Sequence, residues 1–223
     1  MDSSLSNIAV VFDMDGVLID SQPLHYEIDM QVLKSCGYPA ELSTVTPYSG
    51  VSNPDRWAKY KETLNLEQSI EQLIQITEQK MLEVFQSGIV AIEGVKELLA
   101  QLQNMNIPCG VASSSPHSLI QLVLNNIGIK QYFSEIISGE DVKIGKPDPD
   151  IYITAAKKMG FSPNKCIAIE DAPFGIQSAN AAGFTCIAYK NPNTYGQVFT
   201  HAHYVIENYT ECLPIIEKIR CSI

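Results

Sequence analysis

Two aspartates two positions apart, Asp13 and Asp15, end an apolar run near the N-terminus and stand before Gly16, within the stretch IAVVFDMDGVLID at residues 8–20. Five consecutive apolar residues, 8–12, suit a strand covered on both faces of its sheet. Strand alternation then sends both carboxylates to one side of the strand's end, and the glycine lets the backbone turn. Two acids so close repel unless a cation or a shared proton holds them. A pair of this kind on its own also reads as a charged strand exit, so the partners supplied by the rest of the chain decide its meaning.

Those partners have to be brought in by other elements. From residue 94 onward the pattern alternates helix and strand. A helical pattern over 95–105 leads to a strand over 107–112, which ends in Ser113, Ser114, Ser115 and Pro116. Ser115 before Pro116 suits a helix start, where backbone N–H groups and the positive end of the helix dipole favour an anion. Further strands are expected over 135–138, 166–169, 185–188 and 204–206, with helices after Asp148 and over 172–182. Such alternation with short connections predicts an α/β fold, a parallel sheet wound on both faces. Ligands of such sheets bind outside the carboxyl ends of the strands. Asp13 and Asp15 follow the first strand, Ser113 and Ser114 the second, Lys146 comes shortly after the third, and Glu170 and Asp171 follow the fourth. Each has a plain reading alone, as a helix cap, a surface cation or a turn; together they describe one edge.

The chemistry of that edge follows from its charges. Several carboxylates around one lysine demand a counter-ion, and an all-oxygen set of few carboxylates suits Mg²⁺, which prefers phosphate among its remaining ligands. Lys146, Ser113 and the helix-start amides are donors suited to phosphoryl oxygens. Phosphoryl transfer is the expectation. Asp13 would attack phosphorus to form an aspartyl phosphate, and Asp15 would protonate the leaving alcohol and then deprotonate water.

Composition narrows the partners. A chain of 223 residues with 45% hydrophobic and 18% charged residues suits a soluble globular protein of one domain or one plus an insertion. The formal charge of −10 disfavours nucleic acid and anionic membranes as partners. No apolar run approaches the roughly 18 residues of a membrane span, and the first is too short and too quickly acidic for a signal peptide, so the cytoplasm is expected. Six cysteines without CxxC spacing are read as reduced and structural. His201 and His203 lack a third metal ligand, the sequon at Asn208 has no meaning in the cytosol, and the glycine spacing before Lys146 departs from a P-loop. A monomer is expected, with oligomeric state left open.

Residues 21–90 have a different texture, long glutamine-rich helical segments with Leu66, Ile70, Leu73, Ile74 and Met81 at three and four spacing. Asp20 and Ser21 before Pro23 predict a helix start. Residues 48–56, YSGVSNPDR, are expected to be a loop. The core is therefore assigned to 1–20 and 91–223, and a helical insertion to 21–90.

FDMDGVLID, VASSS, GKPDPDIY and IAIEDAPFGIQSANAAG together resemble the haloacid dehalogenase (HAD) superfamily, in the expected order over nearly the whole chain. The resemblance implies a Rossmann-like core with a helical cap, in the subgroup of β-phosphoglucomutases and sugar-phosphate phosphatases. It implies Asp13 as nucleophile and Asp15 as acid/base, with Ser113 and Lys146 on the phosphate and Asp13, Asp15 and Asp171 on Mg²⁺, supported by Glu170. A dehalogenase lacks the second aspartate. His25 matches a cap histidine of the mutases, which favours a mutase; as a hinge residue it favours neither. Against a mutase, Asn53 follows Gly50, Val51 and Ser52 where mutases carry a phosphate-gripping arginine, and their cap lysine has no clear match. The expected function is a Mg²⁺-dependent phosphatase of small phosphorylated metabolites, chiefly sugar phosphates, with His25 and Asn53 as substrate-side candidates. The alternatives are β-phosphoglucomutase and a catalytically silent HAD-fold binding protein; the occupied catalytic positions speak against the latter.

Overall fold

The apolar run forms β1 (Ala9–Phe12), every residue of which is buried. The computed structural model describes residues 7–48, 51, 53–194 and 197–222. The chain divides into two compact units, Met1–Asp20 with Val90–Asn191 and Gln197–Ile223, and Ser21–Ile89 with Pro192–Gly196. The sequence reading put 192–196 with the sheet, because the segment lies between two strand patterns, and 90 with the helices.

The second unit is helical. It holds α1 (Gln22–Ser35), α2 (Leu42–Val45), α3 (Asn53–Leu64) and α4 (Ile70–Ser87). The start of α4 is a reciprocal cap. Ser69 Oγ accepts the Gln72 N–H at 3.2 Å, and Gln72 Oε1 accepts the Ser69 N–H at 2.9 Å. Its buried face carries Leu73, Thr77, Met81 and Phe85, while Ile70 and Ile74 are half-buried. Helix α1 starts after Ser21 with Pro23 in its first turn, yet Ser21 makes no side-chain cap bond. Part of the expected 48–56 loop is helix. Asn53 opens α3, and Pro54 sits in its first turn, where a missing N–H costs nothing. Ser49, Gly50 and Ser52 of that stretch lie outside the described residues.

A buried charge pair joins two of these helices. Arg56 Nε lies 2.8 Å from Asp29 Oδ2, Tyr60 Oη donates to the same oxygen at 3.1 Å, and Arg56 Nη1 donates to the Val51 carbonyl at 3.1 Å. The rings of Trp57 and Tyr48 pack edge-on against Tyr60 at 5.1 and 4.9 Å. Removing one member of such a pair strands the other charge. Asp29→Ala is expected to cost about 3 kcal/mol of stability, read by urea unfolding.

The first unit is built on a six-stranded sheet. β1 pairs in parallel with β2 (Cys109–Ser113) and β4 (Cys166–Glu170), and β3 (Phe133–Ser138), β5 (Thr185–Tyr189) and β6 (Tyr204–Ile206) extend it in the order β3-β2-β1-β4-β5-β6. All pairs are parallel. α5 (Val95–Asn104), α6 (His117–Asn126), α7 (Asp150–Met159), α8 (Pro173–Ala181) and α9 (Cys212–Ser222) flank it, giving the doubly wound, Rossmann-like α/β fold. Ala9 and Val11 of β1 join Ala112, Tyr152, Ala155, Ala168, Ile176 and Cys186 in one core cluster beneath α7 and α8. Among the described residues no helix is long and apolar enough to cross a membrane. All six cysteines are free, and burial pushes the Cys109 and Cys166 thiols up to about 12. His203 Nδ1 accepts the Cys186 N–H at 3.1 Å, so this imidazole braces β5.

Candidate active site

The carboxyl ends of β1, β2 and β4 lie side by side. The Asp13 N–H continues the ladder by donating to the Ile169 carbonyl at 3.0 Å, which sets Asp13 beside Glu170 and Asp171. Ligand oxygens of Asp13, Glu170 and Asp171 lie within 4.8 Å of one another. Lys146 reaches this group from the connection between β3 and α7. Its Nζ donates to Asp13 Oδ1 at 2.6 Å, to Glu170 Oε1 at 2.6 Å and to the Ala112 carbonyl at 3.0 Å. An ammonium has three hydrogens, and all three are placed. The pairing joins residues 133 and 24 positions apart.

Three carboxylates face one ammonium here, with Asp13 8%, Glu170 1% and Asp171 4% exposed. Burial pushes the Asp13 pKa up to about 7 despite Lys146, with Glu170 and Asp15 adding to the rise. Burial and then the Asp13, Glu170 and Asp15 charges raise Asp171 well above the usual carboxylate range. Lys146 responds in the other sense. Burial opposes its charge, but the Asp13 and Glu170 carboxylates outweigh burial and raise its pKa. Asp13 and Asp171 are thus biased toward their protonated forms unless a further cation takes the proton's place, and the cluster's donors are oxygens alone. That chemistry fits a hard divalent ion such as Mg²⁺.

The serines lie at the adjacent strand end. Ser113, the last residue of β2, is buried, and its Oγ accepts the Ser115 N–H at 3.2 Å; Ser114 is exposed. Asp15 is half-buried, and its Oδ2 accepts the Ser115 hydroxyl at 3.1 Å. Its carboxylate is not a member of the three-acid cluster. The helix start expected at Ser115 lies two residues later, since α6 begins at His117, and that residue's N–H is taken by Glu140 Oε2 at 2.8 Å.

Residues 10–189 match a family described as Haloacid dehalogenase-like hydrolase. The chain belongs to this family. As a HAD-like hydrolase it is similar to the phosphorylated carbohydrates phosphatase of Thermotoga maritima, 31% identical over 175 residues, covering 78% of this chain and 81% of the relative. It is also 30% identical over 217 residues to a phosphoglycolate phosphatase of Yersinia pestis, covering 93% and 92%. The solved β-phosphoglucomutase of Clostridium difficile superposes with a TM-score of 0.80 at 25% identity, covering 98% of each chain. With such relatives the chain is a phosphoric monoester hydrolase.

His25 and Asn53 of this HAD hydrolase lie in the helical unit. The His25 N–H donates to the Ser21 carbonyl at 2.9 Å in the first turn of α1, and Asn53 Oδ1 accepts from Arg56 Nη2. Sequence reasoning passed over other residues that hold the acids. Tyr152, on α7, is fully buried and donates through Oη to Glu170 Oε1 at 2.6 Å, while Lys146 Nζ sits 5.2 Å from its ring centroid. A tyrosine on the buried face of a helix needs an acceptor for its hydroxyl, and that was the available signal. Gln197 Nε2 donates to the Asp171 carbonyl at 3.1 Å. Asn191 Nδ2 donates to the Gly16 carbonyl at 3.1 Å and to Asp20 Oδ1 at 3.3 Å.

Two glycines leave room for the carboxylates. A Cβ on Gly16, which has φ +77°, would lie 2.2 Å from Asp171 Oδ2, and one on Gly175, the third residue of α8, would lie 2.1 Å from the Glu170 carboxylate. Either methyl would have to expel an acid. Gly175→Ala is expected to weaken Mg²⁺ binding by roughly ten-fold or more, the scale of losses at residues that support metal ligands, as read by calorimetric titration.

Proposed function

We propose that the protein is a Mg²⁺-dependent phosphatase that hydrolyses small phosphorylated metabolites, sugar phosphates by preference, through an aspartyl phosphate on Asp13. The observation that carries this reading is Lys146 Nζ held 2.6 Å from both Asp13 and Glu170 within the buried acid cluster. Asp13, Glu170 and Asp171 would hold Mg²⁺, which when bound would balance the cluster and draw charge from the phosphoryl oxygens. Ser113, Ser114 and Lys146 would receive those oxygens.

Lys146 engages Asp13 Oδ1, so the attack is assigned to Oδ2. As that oxygen bonds to phosphorus, the ester P–O bond breaks and the Asp15 carboxyl gives its proton to the departing alkoxide. Asp15, now a carboxylate, takes a proton from water. The resulting hydroxide attacks the aspartyl phosphate, releasing inorganic phosphate and free Asp13. The helical unit would serve as a cap that excludes bulk water and selects the leaving group, with His25 and Asn53 on the substrate side. The six free thiols support a reducing compartment, the cytoplasm.

The mutase reading rests on His25 and on the likeness to the Clostridium difficile enzyme. A mutase must grip a bisphosphate at both ends. Arg56, the one arginine of the helical unit, is already engaged by Asp29, Val51 and Asn53, which favours hydrolysis. The deciding experiment is a screen of phosphorylated sugars for phosphate release. β-Glucose 1-phosphate with a bisphosphate primer is included as one arm. Free phosphate supports the phosphatase, and glucose 6-phosphate without free phosphate overturns it. Absence of any turnover supports the silent binding protein.

A further inference from the structure

We infer that Ser115 is a positioning residue for Asp15, holding one oxygen of the acid/base so that the carboxyl keeps one orientation for proton transfer. This rests on the phosphatase reading above. Ser115 lies in the loop between β2 and α6, and its hydroxyl donates to Asp15 Oδ2 at 3.1 Å, across 100 positions of sequence.

What makes the contact a built one is the way the residue's backbone is held on both sides. Its N–H donates to Ser113 Oγ at 3.2 Å. Its carbonyl accepts the Ser138 hydroxyl at 2.7 Å. Ser138, at the end of β3, is itself fully committed, since its Oγ accepts the Glu140 N–H at 3.1 Å and its N–H donates to Asp141 Oδ2 at 2.9 Å. Asp141 in turn meets His117 Nε2 at 2.9 Å, at the first residue of α6. The ends of β2, β3 and α6 thus fix Ser115 from both directions, and its single hydroxyl proton is aimed at Asp15. A hydroxyl has one proton to give, and here Asp15 Oδ2 receives it. A carboxylate fixed at one oxygen also loses little time to rotation before each transfer.

Protonation of the leaving group matters only when the leaving group is a poor one. An alkoxide needs the proton as the P–O bond breaks, whereas p-nitrophenolate leaves without it. The test compares kcat/KM, which reports steps up to departure of the alcohol, for glucose 6-phosphate and p-nitrophenyl phosphate in the full-length protein with Mg²⁺. Ser115→Ala is expected to lose roughly ten-fold or more on glucose 6-phosphate and no more than about three-fold on p-nitrophenyl phosphate, within the range that a general acid contributes. Ser115→Thr, which returns the hydroxyl, is expected to recover most of the loss. Ser138→Ala, which keeps the Ser115 hydroxyl but frees its carbonyl, is expected to show the same selective pattern at smaller size. An equal loss on both esters means that Ser115 binds phosphate or merely supports the fold, and overturns the positioning role, as does full activity of Ser115→Ala on glucose 6-phosphate. Failure of the underlying reading has a separate signature, an Asp13→Asn protein that turns over both esters as fast as the wild type.

Discussion

Asp13→Asn is expected to lower kcat on any phosphomonoester by roughly 10⁴-fold or more while the protein stays folded, because an amide cannot form the acyl phosphate of the proposed mechanism. Rapid-quench sampling should trap a phosphorylated wild-type protein and none from the variant. Turnover within ten-fold of wild type, about 1.4 kcal/mol in barrier, would remove Asp13 from the nucleophile role. The same substitution has a thermodynamic consequence. Burial holds the Asp13 pKa at about 7, against 3.8 for an aspartate in the unfolded chain, so the fold favours the protonated acid. A group raised in this way contributes its full stability below about pH 4 and loses it as pH rises through about 7. Asparagine carries no such dependence. In metal-free buffer the stability of Asp13→Asn relative to wild type should therefore rise between pH 4 and pH 7, by on the order of 2–4 kcal/mol at about 1.4 kcal/mol per pH unit. Added Mg²⁺ should narrow the difference, since a cation replaces the proton. A pH-independent difference would show that Asp13 is ionised in the fold without help.

Lys146→Met is expected to be the most damaging single change to the fold of the site. It removes the ammonium paired with Asp13 and Glu170 and leaves three buried carboxylates facing one another. Breaking a buried pair from one side costs about 3–5 kcal/mol, and a cluster of like charges sits at the upper end. The deficit in metal-free buffer should be largest above pH 7, where Asp13 would ionise, and shrink as pH falls and it takes up its proton. Denaturant unfolding across that range measures it. Catalysis should fall as well, by roughly 10²–10³-fold, because a fixed cation beside the proposed nucleophile is lost. A variant as stable as wild type at pH 8 would mean that Asp13 keeps its proton regardless of Lys146.

The sheet was legible because its strands announce themselves by composition. Ala9–Phe12, Cys166–Glu170 and Thr185–Tyr189 are short apolar runs bounded by polar or turn residues, which is what burial on both faces requires. Their edges shifted by one or two residues, as with β2, which begins at Cys109 rather than 107. The acids and Lys146 were legible for a related reason. They sit at strand ends or just beyond, and a parallel sheet brings all of those ends to one edge whatever the side chains do. Residues 53–56 were misread as loop because Pro54 was taken as a breaker, although proline is at home in a first helical turn.

The chain's order of residues was enough to determine the alternating fold, the identity of the nucleophile candidate and the family. What only the tertiary structure decided is which partner each polar group finds. Tyr152 on Glu170, Glu140 on the first N–H of α6, Asp29 around Arg56, and Ser115 on Asp15 are contacts between separate elements. Periodicity reports only which face of an element is turned inward. The few ångströms that separate a hydrogen bond from a miss depend on strand register, on where each connection crosses and on the rotamer left open by packing, and these are settled only when the whole chain has closed on itself.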